Sequence, residues 1–268
     1  MIIIDAHIHI HDCFNLGKFF DFAETNFKQQ AKKINSNSFS GVLCLTEISG
    51  VDVFNKLRNI AGKKENIGSW NVGFTKEENS LALTKDNFTI FIIAGRQIVT
   101  EKKLEVLAIG LKKDFQDGKP AEEVIKHVVE FGAIPIIPWG FGKWFSPRKQ
   151  ILEKIVLQKK SYPIFLGDNG NRPWIFKKSK LIKLAFENNN ILDLPGSDPL
   201  PFNREVKKPG SFGFYIEDVI NQDKPFDNIY KIITTTKKQF KTYGKLESLF
   251  YFVKNQVAMQ LVKRNRKN

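Results

Sequence analysis

The chain has 268 residues, with 42 basic and 28 acidic side chains and a formal net charge of +14. Apolar residues make up 42 % and charged ones 26 %, a globular balance that excludes disordered, collagen-like and coiled-coil classes. No apolar run reaches the length of about eighteen residues that marks a membrane-spanning helix.

The first apolar run covers 2–10. It has an acid at position 5 and no basic lead, so it reads as a strand and not as a secretory signal. A helical pattern follows at 20–34, then a strand at 41–46 and a helix at 51–61. Further β-branched runs stand at 88–94, 104–109, 133–138, 164–166, 191–194 and 229–234. Helical patterns fill 121–131, 147–159 and 179–189, the first of them after the turn Gly118-Lys119-Pro120. The last helix, 246–263, carries Leu249, Phe250, Phe252 and Val253, which suggests burial against the body of the fold. Docking of this amphipathic stretch on a membrane or a partner is the alternative.

Strand followed by helix, repeated, implies a parallel sheet with right-handed crossovers. Seven or eight such strands in this length favour a closed barrel over an open sheet. The expectation is one α/β domain over 1–268, a distorted TIM-like (β/α)7-8 barrel ending in a basic helix from about 237 to 268. Neither a dinucleotide glycine signature nor a P-loop is present. Cys13 and Cys44 are too few for a disulfide framework or a cysteine zinc site, so a reducing, cytoplasmic setting is expected. Residues 229–268 hold 10 of the basic side chains and one acid, Glu247. Such a segment attracts nucleic acid, an anionic membrane or an acidic partner, or is simply a solvated basic helix.

In parallel barrels the chemistry sits at the carboxyl ends of the strands. The first strand ends Asp5-Ala6-His7-Ile8-His9-Ile10-His11-Asp12. Positions 5, 7, 9 and 11 share a face if the strand stays extended. Imidazoles two residues apart lie about 6–7 Å apart at the backbone and can converge on one ion. His7 and His9 are therefore candidate metal ligands, with Asp5 placed to orient one of them from behind. His11 falls past the strand end and is a weaker candidate. Three of the four histidines stand within five residues, and burying several without a partner is costly.

Asp-Ala-His-Ile-His at the end of a first strand resembles the polymerase-and-histidinol-phosphatase (PHP) family. Later segments resemble that family in order. Leu43-Cys44-Leu45-Thr46-Glu47 is similar to a strand ending Thr-Asp-His, with Glu47 as the acid and Ile48 replacing the His. Gly95-Arg96-Gln97-Ile98 resembles Gly-x-Glu-Ile, with Gln97 at the place of the metal-bridging Glu. Glu105 stands near the place of a further ligand, and Trp139 about where a His-Pro histidine belongs. Gly196-Ser197-Asp198-Pro199-Leu200 is similar to Gly-Ser-Asp-x-His, with Asp198 kept and Leu200 at the His place. The resemblance spans roughly 2–202 and implies a PHP-type barrel and a metal-dependent phosphoesterase. With several ligands replaced, the implied site shrinks to His7, His9, Glu47, Asp198 and Glu105 or Asp168. That set would hold one or two ions of zinc, manganese or iron.

The segment Gly167-Asp168-Asn169-Gly170-Asn171-Arg172-Pro173-Trp174 is densely polar for a connector. Asp168 is a candidate ligand or base, and Asn169, Asn171 and Arg172 candidate grips on substrate oxygens. An Asx-rich turn held by its own hydrogen bonds explains the same residues. Arg96, Arg172 and Arg204 are candidates to offset charge on a phosphoryl group, and Asp168 or Asp198 to handle the proton. Trp139, Trp144 and Trp174 suggest an aromatic wall, or plain packing. The function expected is hydrolysis of an anionic, phosphorylated small molecule. A decayed scaffold that only binds a ligand or partner, and a nuclease or nucleic-acid-binding protein using the basic C-terminal segment, are the alternatives. A hydrolase of C–N bonds is disfavoured, because no later histidine stands at a strand end.

Overall fold

The computed structural model describes residues 1–142, 144 and 148–265, the last three of these as backbone only. Pro147, the expected start of a helix, and the basic run Lys263–Lys267 expected to meet nucleic acid lie outside the residues whose side chains are described. The chain begins with β1 (Ile2–Ile8), α1 (Leu16–Lys33), β2 (Ser40–Leu45) and α2 (Val53–Lys63). A run of strands follows: β3 (Asn66–Ile67), β4 (Trp70–Phe74), β5 (Ser80–Lys85), β6 (Phe88–Ile93), β7 (Gly95–Val99) and β8 (Glu105–Ile109). Then come α3 (Ala121–Glu130), β9 (Ile134–Pro138), α4 (Arg148–Leu157), β10 (Phe165–Gly167) and α5 (Lys180–Asn189). A 3-10 turn (Asn203–Lys207), β11 (Phe212–Ile216), α6 (Pro225–Thr235), β12 (Lys241–Gly244) and α7 (Leu249–Asn265) complete it.

The strands form an eight-stranded sheet, ordered β12-β11-β1-β2-β6-β5-β4-β3, and a four-stranded sheet, ordered β10-β9-β8-β7. Parallel ladders join β1 to β2, β2 to β6 and β9 to β10. The other ladders among the described residues are antiparallel. This corrects the expected TIM-like barrel. The chain is α/β, but its strands lie in two mixed sheets, and no continuous ladder closes them. Single bridges link Glu47 to Arg96 and Asn169 to Gly196.

Three local features explain the difference. The chain turns at Asp86-Asn87, with Asp86 at φ +52, so β5 and β6 pair as a hairpin instead of crossing over through a helix. The run at 229–234 is part of α6, not a strand. Phe226, Ile229 and Ile233 are buried at helical spacing, and Pro225 starts the helix where its missing N–H costs nothing. Residues 191–194 pair with β10 only through the Leu166–Asp193 bridge.

Local sequence sets the elements around β1. Asn15 caps α1 by accepting from the Lys18 amide, and Lys32 and Lys33 close its last turn against the helix dipole. Phe19, Phe20, Ala23, Phe27 and Ala31 form its buried face. Phe27 lies on Gly41 of β2, where a Cβ would stand 2.5 Å from the ring, so only glycine lets the helix sit this close. Along β1 side chains alternate. Ile3 packs with α1, while Ile2, Ile4 and Ala6 join Phe91, Ile109 and Phe214 between the sheets. α7 departs from expectation: Phe252 is buried, but Leu249, Phe250 and Val253 are exposed. No helix among the described residues is long and apolar enough to cross a membrane.

Candidate metal centre

The register of β1 against β2 shifts between Asp5 and Ile8, so the strand is irregular where the histidines begin. His7 Nε2 and His9 Nε2 consequently meet at 3.1 Å. Asp198 arrives from the segment after α5, which is pinned to β1 by two backbone hydrogen bonds, Ala6 N–H to the Pro195 carbonyl and Asp198 N–H to the His7 carbonyl. Gly196 permits that approach, since a Cβ there would lie 2.2 Å from the His7 nitrogen. Asp198 itself adopts a left-handed backbone at φ +49, tolerated by Asp better than by most residues.

One Asp198 oxygen, Oδ1, stands 3.6 Å from both His7 Nε2 and His9 Nε2. Gln97 Oε1 lies 3.2 Å from His7 Nε2. Ligand atoms held at about 2.0–2.2 Å around a tetrahedral ion are about 3.3–3.6 Å apart. The histidine and aspartate atoms therefore already stand close to ligand spacing, and His7, His9 and Asp198 form a group that could hold a metal ion. Burial, followed by the neighbouring His7, pushes His9 down to about 3 against the pull of Asp198. Its ring is neutral near pH 7 and offers a lone pair.

The carboxylate is oriented from behind. Asn169 Nδ2 donates to Asp198 Oδ2 at 2.7 Å and to the Trp139 carbonyl at 3.3 Å, while Asn169 Oδ1 accepts from the Asn171 amide at 2.8 Å. Asn171 Nδ2 donates to the Asp198 carbonyl, and its Oδ1 accepts from Lys208 Nζ. Lys208 also pairs with Glu205 and Glu247. Asn169 and Asn171 thus hold protein atoms in this structure. Lys208 and Glu247 were missed in the sequence, where they carry no motif.

Asp5 does not orient a ring as expected. Its carboxylate accepts from the amides of His7, Ser197 and Gly210, and so fixes the backbone around the site. Burial raises it to about 7 despite those donors. His7 Nδ1 is buried with no acceptor among the described residues, so this ring lacks the outer hydrogen bond that commonly fixes a ligating imidazole.

The remaining candidates stand outside the ligand group, although Glu47 lines the pocket beside it. Glu47 Oε1 accepts from the Val53 and Phe54 amides at the start of α2, and Oε2 lies 3.4 Å from Arg96. Burial raises the Glu47 pKa. Glu105 is paired in register with Val99, two residues beyond Gln97 and Leu107, and lies outside the ligand group. Arg96 points away from Gln97, as strand alternation demands, and donates to the carbonyls of Val51 and Lys112. Arg172 grips both oxygens of Asp168, at 2.7 and 2.6 Å, in a buried pair. Arg204 binds Asn255 and Glu205 and lies 4.9 Å over the Tyr251 ring. Arg96, Arg172 and Asp168 are buried and each charge is met by an internal partner, while the half-buried Arg204 pairs with Glu205. Trp139 and Trp144 are packed in the core beside β9, while Trp174 is exposed.

A pocket of about 220 Å³ opens beside His9, lined by His11, Asp12, Cys13, Glu47, Ile48 and Pro201 among others. No lysine or arginine lines it among the described residues. His11 donates Nε2–H to the Pro199 carbonyl at 2.9 Å, which fixes the tautomer of the neutral ring.

No protein-family model matches the chain, and no curated protein does. The fold has a solved counterpart. The crystal structure of PsfC from Pseudomonas syringae PB-5123 aligns over 97 % of this chain and 98 % of that one, with a TM-score of 0.55 and 14 % identity. At that identity the likeness concerns the fold alone.

Proposed function

We propose that the chain is a metal-dependent hydrolase acting on a small phosphorylated substrate, with one divalent ion held by His7, His9 and Asp198. The observation that carries this reading is the convergence of two imidazole nitrogens and a carboxylate oxygen within 3.1–3.6 Å, with His9 lining a pocket. The resemblance of the His7-Ile8-His9 and Gly196-Ser197-Asp198 segments to the PHP family points the same way. A mixed nitrogen and oxygen set suits zinc, manganese or iron. Only one such group exists among the described residues, which favours one ion over two.

When bound, such an ion supplies Lewis acidity toward a phosphoryl oxygen and toward the attacking water. The residues prepare that role. His9 is held neutral, Asp198 is turned by Asn169 so that Oδ1 faces the rings, and Gln97 Oε1 stands beside the same His7 Nε2 that meets His9 and Asp198. With no cation among the described pocket residues, substrate charge would be met by the ion and not by arginine. His11, Asp12 and Glu47 line the pocket and bring titratable side chains to it for proton exchange.

The test is a screen of phosphomonoesters with protein loaded in turn with zinc, manganese and iron, each against a chelator control. Turnover that needs the ion and disappears in His9→Ala supports the proposal. Metal that binds stoichiometrically without any turnover would shift the reading to a ligand-binding scaffold.

A further inference from the structure

The described residues include fourteen exposed large apolar side chains, and eight of them fall in two segments that meet: six in 249–261 and two at Trp174 and Ile175. The segments are joined by backbone. Trp174 N–H donates to the Glu247 carbonyl, and Glu247 N–H to the Arg172 carbonyl. α7 is apolar on two sides. One side reaches the body through Phe252, whose ring meets Phe141 and Phe176, and through Asn255, bonded to Arg204. The other side presents Leu249, Phe250, Val253, Val257 and Leu261, which recur at three- and four-residue steps and lie on one stripe of about 120°. Phe250 is 71 % exposed and Trp174 67 %. A soluble surface rarely leaves such a stripe without a partner.

Charge selects the partner. Apart from the buried Arg172, residues 173–183 carry four basic side chains and no acid, two of them (Lys178 and Lys183) paired with Asp193 and Glu187, and residues 245–268 carry six and one. That one acid, Glu247, is bonded to Lys208. Lys177, Lys180, Lys245 and Lys254, in or next to the same two segments, are exposed. A second copy of a +14 chain would bring like charges together, whereas an anionic surface complements them. Apolar side chains with exposed aromatics, rimmed by lysines, suit the boundary between lipid headgroups and acyl chains. We propose that α7 and the Trp174–Lys180 segment form a face that docks reversibly on an anionic lipid bilayer. This holds whether or not the chain hydrolyses phosphoesters.

The experiment is co-sedimentation of the full chain with vesicles of phosphatidylcholine alone and of phosphatidylcholine with about a third phosphatidylserine. The expected result is binding to the anionic vesicles only, weakened by salt. Phe250→Ser with Val257→Ser should lower it at least tenfold, with an unchanged unfolding midpoint, because both side chains are exposed and the buried face of α7 is left intact. Trp174→Ala, outside the helix, should weaken binding in the same assay. Absence of binding to anionic vesicles, or equal binding by the double variant, would overturn the proposal. So would a dimer by analytical ultracentrifugation that the double variant dissociates, which would give the face to a second copy. Equally tight binding of polyglutamate or an RNA oligomer, unaffected by the apolar substitutions, would reduce it to bare charge.

Discussion

Gly196→Ala tests whether close backbone approach builds the centre. A methyl at this position would stand 2.2 Å from the His7 nitrogen, 2.5 Å from its Cβ and 2.8 Å from its Cα. Cβ contacts below 3.0 Å are essentially never seen, so the two segments must part by about 0.8 Å. Backbone lies on the other side of the contact, and no rotamer change relieves it. Overpacking of this kind costs about 1–3 kcal/mol. The backbone hydrogen bond from Asp198 N–H to the His7 carbonyl, 2.9 Å long, would stretch with it. Asp198 Oδ1 would then drift from 3.6 Å to more than 4 Å from the two rings, beyond the about 3.6 Å edge of a tetrahedral site. Urea unfolding of the metal-free variant measures the first effect. Competition with a coloured chelator measures the second, with affinity expected to fall about 10–100-fold. A variant with unchanged midpoint and unchanged affinity would refute the packing argument.

Other consequences can be checked in the same assays. Asn169→Ala removes the donor that holds Asp198 Oδ2 and should weaken metal affinity about 10–100-fold, with a smaller change in the metal-free unfolding midpoint. Arg172→Ala should destabilise the fold by about 3–5 kcal/mol in urea unfolding, because it leaves Asp168 buried and unpaired. A substrate-gripping arginine would instead leave the midpoint in place and raise KM. Asp5, raised to about 7 by burial, keeps its proton in the folded chain at pH values where the unfolded chain has lost it. Its contribution therefore makes the fold less stable as pH climbs from about 4 to 7, by at most about 1.4 kcal/mol per unit. Unfolding of chelator-treated Asp5→Asn across that range should show a flatter slope than the parent.

The metal-capable group was legible because each member sits in a short-range pattern. His7 and His9 alternate on one strand, and Asp198 follows a Gly-Ser turn whose glycine meets β1. The irregularity after Asp5, which brings the two rings to 3.1 Å, left no mark in the sequence. The internal partners of the arginines are hidden in the sequence for a related reason. Arg96 meets Glu47 and two loop carbonyls from distant parts of the chain, so its commitment shows only after folding. Arg172 and Asp168 stand four residues apart, and that pairing could have been read from spacing. β-branched content carried the strands 2–8, 40–45, 88–93, 105–109 and 134–138 but misled at 229–234, where Thr and Ile populate a buried helix face. The barrel expectation failed at the connections. Hairpins such as Asp86-Asn87 turn the chain back, and strand composition alone does not distinguish that from a helical crossover.

The central claim is that His7, His9 and Asp198 bind a divalent ion, and its most direct test is metal-to-protein stoichiometry on untagged protein. Elemental analysis after reconstitution with zinc, manganese and iron in turn should find one equivalent in the parent chain for at least one ion. His7→Ala with His9→Ala should retain none while unfolding at the midpoint of the chelator-treated parent. A parent chain that takes up none of the three ions, or a double variant that keeps its metal, would contradict the account.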